Sequence, residues 1–153
     1  MTVSVLRNVK PPDPGTTGMS RVLQDAGVTR ASTIHVSGRS ALAALLWLCR
    51  RGYELAAHVD AGWSCSALSA DALLVRHVRS ASALQALLER ARGLREGGVL
   101  IVQTPADVSE PELDSMAGRV RALGYRLERR LREKGHVVLV ARRGAVRALE
   151  RAA

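Results

Sequence analysis

The chain predicts an α/β fold: a mostly parallel sheet with helices on both faces and an antiparallel hairpin at its C-terminal end. Three observations carry this. Short β-type apolar runs alternate with amphipathic helical patterns from about residue 32 to residue 123, which is how repeated βα units look in sequence. Two of those runs, Asp71-Ala72-Leu73-Leu74-Val75 and Val99-Leu100-Ile101-Val102, are almost wholly apolar without alternation, as strands covered on both faces must be. Two further strand patterns, 125–132 and 136–141, are separated only by Glu133-Lys134-Gly135, a link that suits an antiparallel turn and no crossover helix.

Residues 1–17 read as an arm. Val3, Val5 and Val9 suit a short strand, but Lys10-Pro11-Pro12-Asp13-Pro14-Gly15 interrupts any regular element. Residues 18–153 read as one domain. A short helix is expected over 19–26 with Gly27 as its stop, then a strand over 32–36. The helix over about 40–51 carries Leu42, Leu45, Leu46 and Cys49 at i, i+3, i+4, i+7 spacing. Ala43 and Trp47 lie off that stripe, so this helix is apolar nearly all round and needs cover on two sides, by the sheet and by another helix or subunit. Arg50, Arg51 and Gly52 end it. A strand over 53–59 ends at Asp60. Ser80 or Ser82 caps a helix bearing Leu84, Leu87, Leu88, Ala91 and Leu94, with Gly97-Gly98 as its stop. Ser109-Glu110-Pro111-Glu112 is a capping box with proline in the first turn. The helix it opens turns Leu113, Met116, Ala117, Val120 and Leu123 inward and stops at Gly124. A short basic helix is expected over 145–153.

The chain has 153 residues, enough for one domain with a real core. Aromatic residues are 3% and phenylalanine is absent, so the core is built of Leu, Val and Ala, and base stacking on aromatic platforms is not expected as a main activity. No apolar run reaches the roughly 18 residues that span a bilayer, and the first residues lack a signal-peptide pattern; a cytoplasmic protein with no membrane partner is expected. Cys49 reads as core, and Cys49 with Cys65 makes neither a disulfide framework nor a zinc site, so no metal is expected. The net charge of +9 is mostly C-terminal: from Arg119 to Arg151, ten arginines and Lys134 stand against three glutamates. Such a face attracts nucleic acid or an acidic partner, but an ordinary solvated face is the simpler reading. Arg126, Arg129, Arg130, Arg132 and Lys134, interleaved with Leu127 and Leu131, suit a charged edge strand that resists aggregation.

Over about residues 32–143 the order of elements resembles the class I S-adenosylmethionine-dependent methyltransferase fold. Asp71-Ala72-Leu73-Leu74-Val75 before a helix, then Leu94-Arg95-Glu96-Gly97-Gly98-Val99-Leu100-Ile101-Val102, is similar to that family's fourth strand and to its leader–Pro-Gly-Gly run into the fifth. Gly52-Tyr53-Glu54-Leu55 through Val59-Asp60 resembles the second strand, which ends on an acid, and Gly124-Tyr125-Arg126 resembles the approach to the terminal hairpin. The resemblance implies a Rossmann-like three-layer sandwich. It also implies sheet order 2-1-4-5-7-6 in the family's strand numbering, because Asp60 to Asp71 is too short for the usual helix–strand–helix, and the third strand and a flanking helix should be missing or vestigial.

The family's cofactor loop runs acid-x-Gly-x-Gly-x-Gly. Aligned on the strand, His35 replaces the acid, Ser37, Arg39 and Ala41 replace the glycines, and Gly38 falls between them. Glycine allows the tight turn and the close approach to ligand, and an arginine beside a cationic sulfonium is electrostatically poor. The candidate cofactor-binding residues are Ser37, Gly38, Arg39, Ser40 and Asp60; the resemblance implies that Asp60 accepts ribose hydroxyls, and the plainer role is a strand-end carboxylate capping a turn. Ser37 to Ser40 opens a helix and suits an anion such as phosphate, or Ser40 is simply its N-cap. Gly38-Arg39-Ser40-Ala41-Leu42 has the strand–turn–helix form of a nucleophile elbow without its final glycine. No catalytic residue is assigned. His35, His58 and His77 fall on or just after neighbouring strands but have no ligand spacing. Trp47 and Trp63 suit packing or subunit contact. The expectation is a methyltransferase-like binding or regulatory module that has lost S-adenosylmethionine, binds no cofactor and is no enzyme. It would form a homodimer or meet a protein partner through the apolar helix face. The alternatives are an active small S-adenosylmethionine-dependent methyltransferase using Ser37, Gly38 and Asp60, and a nucleic-acid binder using the C-terminal arginines.

Overall fold

The computed structural model describes residues 14–59, 69–90, 94–133 and 135–144. In chain order they form α1 (Pro14–Asp25), β1 (Ile34–Gly38), α2 (Ala41–Arg50), β2 (Ala56–His58), β3 (Ala70–Arg76), α3 (Ala81–Arg90), β4 (Leu94–Pro105), α4 (Glu110–Ala122), β5 (Tyr125–Glu133) and β6 (His136–Arg143). The strands make one sheet in the order β2-β1-β3-β4-β6-β5. The first four are parallel, and β6 is antiparallel to both β4 and β5. In the numbering of the family resembled this is the expected 2-1-4-5-7-6, and among the described residues no strand lies between β2 and β3.

Neighbouring residues of β3 and β4 enter opposite apolar layers, which is why their sequences do not alternate. Leu74, Ile101, Val138 and Val140 pack with Ile34 and Val36 against α1 (Val22, Leu23) and α2 (Ala44, Leu48). Leu73, Val75, Leu100 and Leu139 pack on the other face against α3 (Leu84, Leu88) and α4 (Leu113, Met116, Val120). Each fully buried leucine contributes roughly 1.5–3 kcal/mol of apolar burial, so two aliphatic layers suffice without phenylalanine.

Several boundaries differ from expectation, each for a local reason. α1 starts at Pro14 rather than at residue 19, because proline at a helix start lacks only an N–H that has no partner there. β1 runs on through Ser37 and Gly38, which pair with Val75 and Arg76, and β2 keeps only Ala56–His58. Leu94 is not on a helix: it opens β4 opposite Ala70. Gly97-Gly98 lies inside that strand at a register shift, where Gly97 at φ +72° absorbs the irregularity instead of stopping a helix. Half of the capping box forms: Ser109 Oγ accepts from the Glu112 N–H at 3.3 Å. Glu112 does not return the bond; its Oε1 accepts from the Ala81 N–H at 2.6 Å and ties the start of α4 to that of α3. Leu123 sits at the C-cap of α4 and is exposed rather than inward. A bulge at Glu128 shifts the β5 register between Leu127 and Arg129, so Leu127 joins one layer and Leu131 the other.

The largest correction concerns α2. Ala41, Ala44 and Leu48 face the sheet, while Leu42 and Leu46 are 66% and 50% exposed and Cys49 is exposed rather than core. An all-apolar helix offers the same spacing on more than one face, so spacing alone cannot choose; the small alanines let this face approach β1. The strand expected near residues 3–9, the terminal helix over 145–153, and Asp60, Trp63 and Cys65 lie outside the described residues.

Candidate functional site

The sheet changes direction between β1 and β3. From β1 the chain crosses to β2 on one side and returns to β3 on the other, and the crevice beyond the C-terminal ends of such strands is where ligands bind in open α/β sheets. Ser37, Gly38, Arg39 and Ser40 are brought there together. Ser37 is buried. Gly38, at φ +96°, pairs with Arg76, and a Cβ on it would run into the Arg76 carbonyl oxygen and lie 3.1 Å from the Arg76 nitrogen. The loop's glycine therefore serves a strand–strand contact. Arg39 and Ser40 are exposed. Ser40 occupies the N-cap position with φ 59° and ψ 22° and makes no side-chain capping bond. That corrects the capping role: a working N-cap has extended backbone that aims its oxygen at the helix N–H groups. The elbow reading gains nothing either, since Ser40 Oγ has no hydrogen-bond partner among the described residues. Asp60 lies outside them.

The three histidines singled out in sequence do not converge. His35 is 6% exposed on the α3–α4 side of the sheet, level with Leu73, and burial lowers its pKa, which favours the neutral imidazole. His58 pairs with Val36, so it faces the opposite side, and it is exposed. Among the described residues no group of three His, Cys, Asp or Glu side chains is placed to hold a metal.

His77 instead meets a residue that sequence reasoning missed. His136 opens β6 opposite Pro105, and its ring stands edge-on to that of His77 at 6.1 Å between centroids. Their separation along the chain hides this pair; only the β4–β6 register reveals it. His77 has the left-handed backbone φ of 53°, uncommon outside glycine. Its pKa is lowered first by burial and then by Arg76, His136, Arg79 and Arg39. Arg76 Nε donates to Gln103 Oε1 at 2.8 Å, and Gln103 is 2% exposed. Arg79 pairs with Asp107 at 3.2 Å, both well exposed. His136 Nδ1 is buried without a hydrogen-bond partner among the described residues. The C-terminal edge of the sheet is thus a cationic rim.

The opposite edge is charge-matched. A cavity of about 270 Å³ lies between the end of α1 and the starts of β3 and β4, with Asp25, Asp71, Arg95 and Arg142 among its walls. Asp71 accepts from the Thr33 N–H at 2.8 Å and from Arg95 Nε at 2.7 Å. The C-terminal arginines are likewise engaged: Arg129 with Asp25 at 3.1 Å, Arg130 with Glu110 and Asp114, Arg132 with Glu110, and Arg126 and Arg142 with Glu128. At the end of α2 the Arg51 guanidinium lies 5.4 Å from the centroid of the Trp47 ring.

No protein-family model matches this sequence, and no curated protein matches it. Solved structures do match it in shape. Ribosomal protein L11 methylase from Lactobacillus delbrueckii subsp. bulgaricus superposes with a TM-score of 0.64 over 86% of this chain and 80% of its own, at 11% identity. This chain has the class I methyltransferase fold. A methyltransferase from Pyrococcus furiosus (TM-score 0.56, 16% identity, 84% of each chain) agrees. So does the N-methyltransferase NodS from Bradyrhizobium japonicum WM9, solved with S-adenosyl-l-homocysteine (TM-score 0.54, 12% identity, 88% of this chain and 90% of that one). At these identities the likeness shows the methyltransferase fold alone. Among the described residues no helix is long and apolar enough to cross a membrane.

Proposed function

We propose that this methyltransferase-fold chain is a binding or regulatory module that does not hold S-adenosylmethionine. The observation that carries this is Gly38. The loop's single glycine has its open side filled by the Arg76 backbone, so it offers no close approach to a cofactor. The residues that flank it do not fit the group either. Ser37, Arg39 and Ala41 stand where the family resembled has glycines, and Arg39, Arg76 and Arg79 bear on His77 at the same edge. Two like charges about 5 Å apart repel by roughly 3 kcal/mol at an effective dielectric near 20, so even one such cation disfavours a sulfonium. The protein contact of such a module is α2, whose exposed Leu42 and Leu46 form an apolar face on the side away from the sheet; sedimentation of the purified chain reads whether that contact is with a second copy. The pairing of Arg126, Arg129, Arg130 and Arg132 with carboxylates lessens the support for a nucleic-acid face there.

The test is calorimetric titration with S-adenosylmethionine and with S-adenosylhomocysteine. The expected result is no saturable heat from either. Micromolar binding of either overturns the reading and restores the active-methyltransferase alternative, whose support is the fold likeness.

A further inference from the structure

We propose that the cationic rim around His77 and His136 is an anion site that takes a phosphoryl group. This deepens the reading above and rests on it, since one crevice cannot favour both a sulfonium and a phosphoryl dianion.

The sheet register sets the end of β1 beside the end of β3, Gly38 against Arg76, and His77 meets His136 of β6. The β1–α2 turn brings Arg39, which is exposed and has no carboxylate partner among the described residues. The end of β3 brings Arg76, His77 and Arg79; the β4–α4 turn brings Asp107, already paired with Arg79; β6 brings His136. Glu133 pairs with His136 across the hairpin, but its carboxylate lies against Gly18 of α1. Among the described residues, Arg76, His136, Arg79 and Arg39 each lower the His77 pKa. Like-charged groups gathered at one edge repel one another, and a bound anion removes that repulsion. Two residues at this edge, His77 and Ser40, hold the left-handed backbone that non-glycine residues disfavour. Arg76 is held by the buried Gln103, so its charge is fixed in place instead of sweeping through solvent. The arrangement supplies an arginine free to swing in (Arg39), a fixed arginine and two imidazoles. That set matches a phosphoryl oxygen cluster, which accepts hydrogen bonds from several donors at once. His77, whose pKa is lowered by burial and by its cationic neighbours, is the member that a bound dianion would return toward its protonated form.

Sulfate is the probe, because it remains a dianion across the range in which histidine titrates. The readout is the imidazole Hε1 resonances of the folded chain, assigned with single histidine variants. The expected result is a saturable sulfate-dependent shift at His77 and His136 but not at His35 or His58. Affinity should rise as the pH is lowered from about 7.5 to about 5.5. Arg39→Gln, an exposed change that leaves the core intact, should weaken binding by about fivefold or more, and Arg121→Gln, at the C-terminal end of α4, by less than about twofold. No saturable shift, or equal loss in both variants, means an adventitious ion only and overturns the proposal. Adenosine monophosphate and a short thymidine oligonucleotide then distinguish the sources. A mononucleotide that binds as tightly as the oligonucleotide assigns a small phosphoester. Affinity that grows with oligonucleotide length and falls steeply with salt assigns a nucleic-acid backbone. S-adenosylhomocysteine titrated separately keeps the two readings apart: if neither it nor sulfate binds, the anion site falls and the module reading stands.

Discussion

Gly38 shows how a residue can stand out in sequence while its use stays hidden. A lone glycine at a strand-to-helix turn marks a backbone need, and the need is real at φ +96°. That the open side of this glycine would be filled by Arg76 follows only once β3 is known to lie beside β1. Gly38→Ala therefore meets both an unfavourable φ and a backbone clash, and we expect a loss of about 2–3 kcal/mol in urea unfolding. Cys49 teaches the opposite lesson. Its apolar neighbours suggest core, yet it is exposed; a thiol reagent should label it in the native protein without denaturant. Asp71 binds the Thr33 N–H and Arg95 across the start of the sheet. Asp71→Ala is expected to cost about 1 kcal/mol, a small figure because the pair is partly solvated.

The elements came through the sequence in proportion to their patterning. β3 and the middle of β4 announced themselves as buried strands, and Leu113, Met116, Ala117 and Val120 of α4 are buried as their spacing requires. α2 did not reveal its orientation, because apolar residues on several faces leave no contrast for periodicity to read. The structure makes the contrast testable. Leu48→Ala removes a side chain with no exposure and should cost about 2–5 kcal/mol. Leu46→Gln should stay within about 0.5 kcal/mol for the monomer, and any larger effect should appear only as lost self-association in sedimentation. The Ser109 box was half legible: the serine caps its own helix, but Glu112 is drawn away by the Ala81 N–H, a partner on another element that no local motif encodes.

At the scale of the molecule, the strand order is the one the family resemblance implies, whereas the cationic rim was not legible in the sequence. Its members come from the β1–α2 turn, the end of β3 and the start of β6, and only the completed sheet sets Pro105 against His136. The same assembly governs the response to acid. His35 and His77 have lowered pKa values, through burial first. Asp71 is lowered chiefly by the Thr33 N–H. At Glu128 burial pushes upward, but the bonds and charges of Arg126 and Arg142 outweigh it. All four groups bind protons more weakly folded than unfolded, so each contributes stability above its unfolded pKa that is lost as pH falls through the folded one. The urea midpoint should decline once below about pH 6.5, from the histidines, and again below about pH 4, from the carboxylates. Sulfate should blunt the first decline by stabilising protonated His77. On the proposed reading, this methyltransferase fold carries an edge suited to anions and not to a sulfonium. The most direct measurement titrates two samples of the folded chain, one with S-adenosylhomocysteine and one with S-adenosylmethionine, against the Hε1 signals of His77 and His136. Neither ligand is expected to move them, and a saturable shift at micromolar concentration of either would overturn the proposed function.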